Sequence, residues 1–187
     1  MKPKIKTAII AIAAPVILVV ACTKYKDPDA STGIEGLTNY YCNDSRAVNY
    51  NWGFPGIAND SVCVYPVDSF VGTWVLADTV TLDGSDTFEV VSRTLTITAT
   101  EDSTLTHLAI DGWCGSSYPF YALANKYSKA VTDTLANGAD VQYLCSTNDT
   151  IVGTLNKNTG VGTQMKMDFT VNGTSGISYH SGTATKQ

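Results

Sequence analysis

The chain has 187 residues, with twelve lysines and arginines against seventeen aspartates and glutamates, and a formal charge of −5. An acidic chain with no lysine or arginine cluster excludes a nucleic-acid partner, which would need a basic face. The length is enough for one domain with a real core and a smaller unit beside it.

At the N-terminus Lys2, Lys4 and Lys6 precede an uninterrupted apolar stretch from Ala8 to Ala21. A basic region followed by an apolar one is the layout of a secretory signal. The stretch is shorter than the ~20 residues needed to span a bilayer, and Pro15 would disturb a permanent helix. Val19-Val20-Ala21-Cys22 follows, and it resembles the lipobox of bacterial lipoproteins: an aliphatic residue, a tolerant position, a small residue, then cysteine. The resemblance implies that residues 1–21 are a cleaved signal peptide and that Cys22 is the site of lipid attachment. The thiolate is the nucleophile that accepts a diacylglyceryl group, and two acyl chains already hold a protein stably on a membrane. Thr23 in place of aspartate implies the outer membrane, with the domain facing either side of it. Without residues 1–21 the chain loses three lysines and no acids, leaving nine basic against seventeen acidic residues, a charge of about −8.

Residues 22–38 are polar, with Asp27-Pro28-Asp29 and Ser31-Thr32-Gly33, lack an apolar period and read as a flexible tether. Residues 39–66 then change character. Cys42-Asn43-Asp44-Ser45-Arg46-Ala47-Val48-Asn49-Tyr50-Asn51 leads through Asn59-Asp60-Ser61-Val62-Cys63 to Tyr65. This resembles a short disulfide-closed module of Bacteroidota surface proteins, with the outline C-x-D-x-x-A-x-N-Y-N, an acidic turn, then C-x-Y. Here the turn is shorter than the family's, since Asn59-Asp60 run straight into Ser61. Asp44, Asn49, Asn51 and Asp60 offer oxygens for a calcium ion, but a hard cation wants six or more, and turn capping by Asn and Asp is the preferred reading. With Cys22 given to lipid, Cys42, Cys63, Cys114 and Cys145 remain, and four cysteines allow three pairings. Nearest-neighbour pairing, Cys42 with Cys63 and Cys114 with Cys145, keeps each bridge inside one structural unit and is preferred. A four-cysteine zinc site fails, because no two cysteines form a C-x₂₋₄-C pair.

From residue 67 to 187 the chain alternates strand and turn signals. Met165, Met167, Phe169 and Val171 fall on one face and Gln164, Lys166, Asp168 and Thr170 on the other, the period-two pattern of half-buried strands. Turns are expected at Asp83-Gly84-Ser85, Asp111-Gly112, Asn137-Gly138, Asn158-Thr159-Gly160 and Asn172-Gly173. The pattern predicts an all-β fold, an antiparallel meander of about eight strands closed into a barrel or, alternatively, folded as a sandwich. One helical turn is expected within Ala122–Ala136. Gly72-Thr73-Trp74 resembles the G-x-W signature that opens the first strand of lipocalins and related calycin barrels. That resemblance implies a barrel closed at its base by Trp74, with Lys186 in place of the family's usual arginine.

For function, Trp74, Leu76, Met165, Met167, Phe169, Ile177 and Tyr179 are expected to point inward, where methionines and aromatics line an adaptable cavity or fill a core. Trp113, Tyr118, Phe120 and Tyr121 cluster near Cys114, at an expected rim or lid. The candidate ligand residues are therefore Trp74, Trp113, Tyr118, Phe120, Tyr121, Met165, Met167, Phe169 and Tyr179. The leading expectation is a lipid-anchored binding protein for a small apolar or amphipathic ligand. The alternative is a filled barrel that contacts an envelope protein or a glycan. A hydrolase ranks last, and no cofactor or metal is expected: there is no P-loop, no G-x-S-x-G and no H-E-x-x-H, and His180, next to Tyr179, is expected to face outward.

Overall fold

The computed structural model describes residues 36–115, 118–136, 140–157 and 160–187. The signal segment, Cys22, most of the tether and the turns at Asn137-Gly138 and Asn158-Thr159 lie outside the described residues.

The segment from Tyr40 to Tyr65 is small and stapled. Two short parallel strands, β1 (Tyr40–Tyr41) and β2 (Ile57–Ala58), sit beside the Cys42–Cys63 disulfide. Asn49 serves both directions: its Nδ2 donates to the Val62 carbonyl at 2.7 Å and its Oδ1 accepts from the Val64 amide at 2.8 Å. Asp44 accepts from the Arg46 guanidinium and from the Tyr65 hydroxyl. Those bonds hold the Asp44 carboxyl below the usual carboxylate range, the Arg46 side chain contributing most. The side chains of Asp44 and Asn49 thus serve the loops of this segment.

A 3-10 turn, Pro66–Ser69, leads into the barrel. Its strands are β3 (Gly72–Leu82), β4 (Phe88–Ala99), β5 (His107–Asp111), β6 (Phe120–Ala124), β7 (Lys129–Thr132), β8 (Gln142–Leu144), β9 (Ser146–Asn156), β10 (Gln164–Gly173) and β11 (Gly176–Lys186). Each pairs antiparallel with its sequence neighbour from β3 to β7, and β11 returns to β3. β9 closes the ring: one edge pairs with β10, while the other is shared, β8 on its first half and β7 on its last. The result is a closed eight-stranded antiparallel barrel with β8 as one extra strand, and the sandwich alternative is set aside. Closure leaves the eight-strand ring without an unpaired edge.

The expected helical turn in Ala122–Ala136 is instead the β6–β7 hairpin. The Asn125 side chain accepts from the amides of Tyr127 and Lys129, and Ser128 adopts a positive φ of 56°. This Asx-type loop forms the turn locally, and the four residues of β7 are too few to show a period in the sequence.

The connections define two ends. The base holds the start of β3, the end of β11 and the β4–β5, β6–β7 and β9–β10 loops; the mouth holds the others. At the base Trp74 is fully buried and its indole donates to the Phe70 carbonyl at 2.7 Å. Lys157 and Lys186 lie over its ring at 5.1 and 5.6 Å. Burial, then the neighbouring Lys186 charge, push the Lys157 amine below its ordinary value. Gly72 has φ +135°, and a Cβ there would meet the Lys186 side chain at 2.7 Å, so the first position of Gly72-Thr73-Trp74 must be glycine. The Tyr40–Tyr65 segment rests against this end, with Arg46 donating to the Ser103 carbonyl and Lys126 to the Ser45 carbonyl.

Above Trp74 the interior is occupied by Leu76, Leu95, Ile97, Leu108, Ile110, Ile151, Leu155, Met165, Met167 and Ala184, all buried. The lower barrel is a packed core, one of the two outcomes open to an eight-stranded ring.

Candidate functional site

One strand is in the opposite phase to expectation. On β11, His180 is buried and points inward, while Tyr179, 45% exposed, and Ile177, 37% exposed, face outward. Alternation on β11 is set by Gly182 and Ala184. A Cβ at Gly182 would lie 2.0 Å from the Ala77 carbonyl oxygen and 2.9 Å from Leu76 Cδ1, so that inward position takes no side chain. Stepping back by two gives His180, whose polarity is matched by a partner on the next strand.

That partner is Asp78, on the same face of β3 as Trp74 and Leu76 and with no solvent exposure. Asp78 Oδ2 is bonded to His180 Nδ1 and accepts from Arg93 Nε, both at 2.8 Å. Burial raises the carboxyl, but the bonds and charges of His180 and Arg93 outweigh it, and the net shift is downward. Ser178 Oγ is 3.0 Å from His180 Nε2. Asp78 Oδ1 is buried without a hydrogen-bond partner.

Over this cluster lies Trp113. Gly112, with φ +99° and a position where a Cβ would lie 2.2 Å from the Thr94 carbonyl oxygen, turns the chain at the end of β5. The indole then sits 4.7 Å from the Arg93 guanidinium and meets His180, Phe169 and Phe120 edge-on at 5.1, 5.4 and 5.9 Å. Those four side chains come from β4, β11, β10 and β6, so one ring touching all of them occupies the barrel axis. The adjacent Cys114–Cys145 disulfide ties the Trp113 loop to the end of β8. Trp113 closes the mouth from within.

The remaining candidates divide. Phe120 and Phe169 join the Trp113 cluster and touch each other at 5.6 Å. Trp74, Met165 and Met167 lie in the closed core. Tyr179, expected inside, is on the outer wall. Tyr118 and Tyr121 line a surface cleft of about 310 Å³ together with Pro119, Gln142, Tyr143, Cys145, Ser146 and Thr147. This cleft sits where β7 has ended and β8 takes its place. There the ladder is replaced by a side chain: the Tyr121 amide donates to Gln142 Oε1 at 3.1 Å. The lining carries three tyrosines, an amide and two hydroxyls, and no ionised side chain.

Asp78, Arg93, His180, Gln142 and Tyr143 were absent from the sequence-based set. A signal for the first two existed, since Asp78 is in phase with Trp74 and Leu76, and Arg93 with Leu95 and Ile97. The Ser178–His180–Asp78 chain has the hydrogen-bond order of a serine hydrolase. However, Asp78 is shared with Arg93, His180 lies under Trp113, and Ser178 sits within a continuous ladder between Leu82 and Val171. What the arrangement does chemically is fix the imidazole and hold the Arg93 guanidinium against the indole.

The sequence matches no protein-family model and no curated protein.

Proposed function

We propose that this is a lipid-anchored protein of the bacterial outer membrane, a lipocalin-like barrel that binds its ligand at the rim rather than inside. The carrying observation is that Trp113 fills the barrel axis while Tyr118, Tyr121 and Tyr143 open a 310 Å³ cleft beside the second disulfide. Tyrosine rings present rigid area at low entropic cost, and the neutral hydroxyl and amide lining suits a neutral ring-bearing ligand. A sugar unit of an envelope glycan fits that description. Asp111, Asp133, Asp140 and Asp149 belong to the strand ends and loops of the mouth, so an anionic ligand would be repelled.

Isothermal titration against neutral oligosaccharides and their acidic counterparts tests this. Binding of a neutral member, weakened about ten-fold or more by Tyr118→Ala with Tyr143→Ala, is the expected result. Equal binding by parent and variant would count against it. For the anchor, Cys22→Ser is expected to leave the chain uncleaved and unacylated, read by the mass of the protein recovered from cells.

Asp78 Oδ1 favours a second reading, in which an amphipathic ligand displaces Trp113 and donates to that oxygen. Titration with dodecylamine separates the two: a shift in Trp113 emission that is lost in Asp78→Asn selects the inner site. Neither reading is catalytic, and hydrolysis of a chromogenic acetate ester is expected to be the same for the parent and His180→Ala.

A further inference from the structure

We infer that the stapled Tyr40–Tyr65 segment is itself a membrane-docking element, seating Tyr40, Trp52, Phe54 and Ile57 in the headgroup region of an anionic phospholipid bilayer. This rests on the lipid-anchor reading for its geometry, though its test does not need the lipid. Trp52 is 70% exposed and Phe54 68%, with Tyr40 at 56% and Ile57 at 37%. They form one corner of the fold. Tyr40 and Ile57 are register partners, Phe54 meets the Tyr41 ring edge-on at 5.5 Å, and a Cβ on Gly53 would lie 2.7 Å from the Tyr40 carbonyl oxygen. From Ala47 to Asn59 there is no charged residue. Trp and Tyr favour the boundary between water and hydrocarbon, and the disulfide presents these rings already ordered, so little entropy is lost on docking.

Two further observations select a bilayer as the occupant. The first is reach: Tyr40 lies eighteen residue steps from Cys22, a chain of at most about 65 Å. An anchored chain therefore keeps this corner within that distance of the membrane, at high effective concentration. The second is charge. The segment rests on the base, where Arg46 and Asp44 offset each other and Lys126, Lys129, Lys157 and Lys186 balance Asp60, Asp68, Glu101 and Asp102, whereas the mouth-end connections carry Asp83, Asp86 and Asp140 and no lysine or arginine. An anionic surface thus repels the mouth and not the balanced base, which turns the aromatic corner toward it.

The experiment uses the unacylated Cys22→Ser chain from residue 22 onward, with vesicles of neutral phosphatidylcholine and vesicles containing phosphatidylglycerol. Trp74 is buried and Trp113 half-buried in the mouth, while Trp52 is 70% exposed, so the Trp52→Phe variant isolates its signal. Expected are co-sedimentation with the anionic vesicles, a blue shift of emission that is missing in Trp52→Phe, and a loss of about ten-fold in partitioning for Trp52→Ser with Phe54→Ser. These positions are exposed, and an unchanged near-ultraviolet spectrum checks that the double variant folds. A chain that stays in the supernatant, a double variant that partitions as well as its parent, or a Trp52 shift arising from self-association without vesicles each overturns the inference. Failure here leaves the acylation of Cys22 untouched, and failure of acylation leaves the vesicle result standing.

Discussion

Asp78 has two carboxylate oxygens in one buried environment, and only one of them is served. Oδ2 takes both His180 and Arg93, while Oδ1 has no partner. Removing one member of such a group leaves the others as uncompensated buried charge. Asp78→Ala is therefore expected to cost about 3–5 kcal/mol in chemical denaturation, more than Asp78→Asn, which keeps the shape. The pH dependence has a definite sign. The folded carboxyl lies below its ordinary value, near 3.9 in an unfolded chain, so its stabilisation is fully present above that value and is lost as pH falls below it. Denaturation midpoints of parent and Asp78→Asn should differ at about pH 7 and draw together as pH falls below about 3.9; a gap independent of pH would contradict this.

The turn of the β6–β7 hairpin is tied by the Asn125 side chain as well as by its backbone. Asn125→Ala removes the acceptor for the Tyr127 and Lys129 amides and is expected to cost about 1 kcal/mol, read as a shift in denaturation midpoint at unchanged slope. The second disulfide is a larger element. Replacing Cys114 and Cys145 by alanine is expected to cost about 2–4 kcal/mol and to red-shift Trp113 emission as its loop loosens. How much of this was legible differs strand by strand. β10 shows its phase in the sequence because Met165, Met167 and Phe169 alternate with polar residues, and the nearest-neighbour cysteine pairing holds for both bridges. β11 misleads, because its inward positions are serine, histidine, glycine and alanine while its tyrosine lies outside; hydropathy points the wrong way wherever a buried polar cluster replaces apolar contact. β7 is too short for any period. The tyrosine cleft joins Tyr121 of β6 to Gln142 of β8, 21 residues apart, and local patterns carry no information about such a meeting.

As a whole the molecule is a ring whose least local pairing is β11 on β3, Lys186 opposite Trp74. β9 completes the ring by pairing with β7 and β10, and β8 takes the first half of the edge it shares with β7. The β3–β11 pairing is slow because loop-closure entropy is lost before its contacts form. Without the Cys114–Cys145 crosslink the chain between β5 and β9 must be closed at a greater entropic cost, so the double alanine variant is expected to refold more slowly as well as to be less stable, read by stopped-flow tryptophan emission.

Trp74 faces Lys186 across the β3–β11 ladder, so the chain enters and leaves the ring at the same end. A short epitope placed after Lys186 is therefore carried beside the Tyr40–Tyr65 segment, and one inserted at Gly84 in the β3–β4 turn is carried at the opposite pole. On whole cells, a protease or an antibody that reached the Gly84 epitope but not the other would report which pole stands farther from the envelope. The strand pairing thus supplies two fixed marks from which the orientation of the protein on its membrane is measured directly.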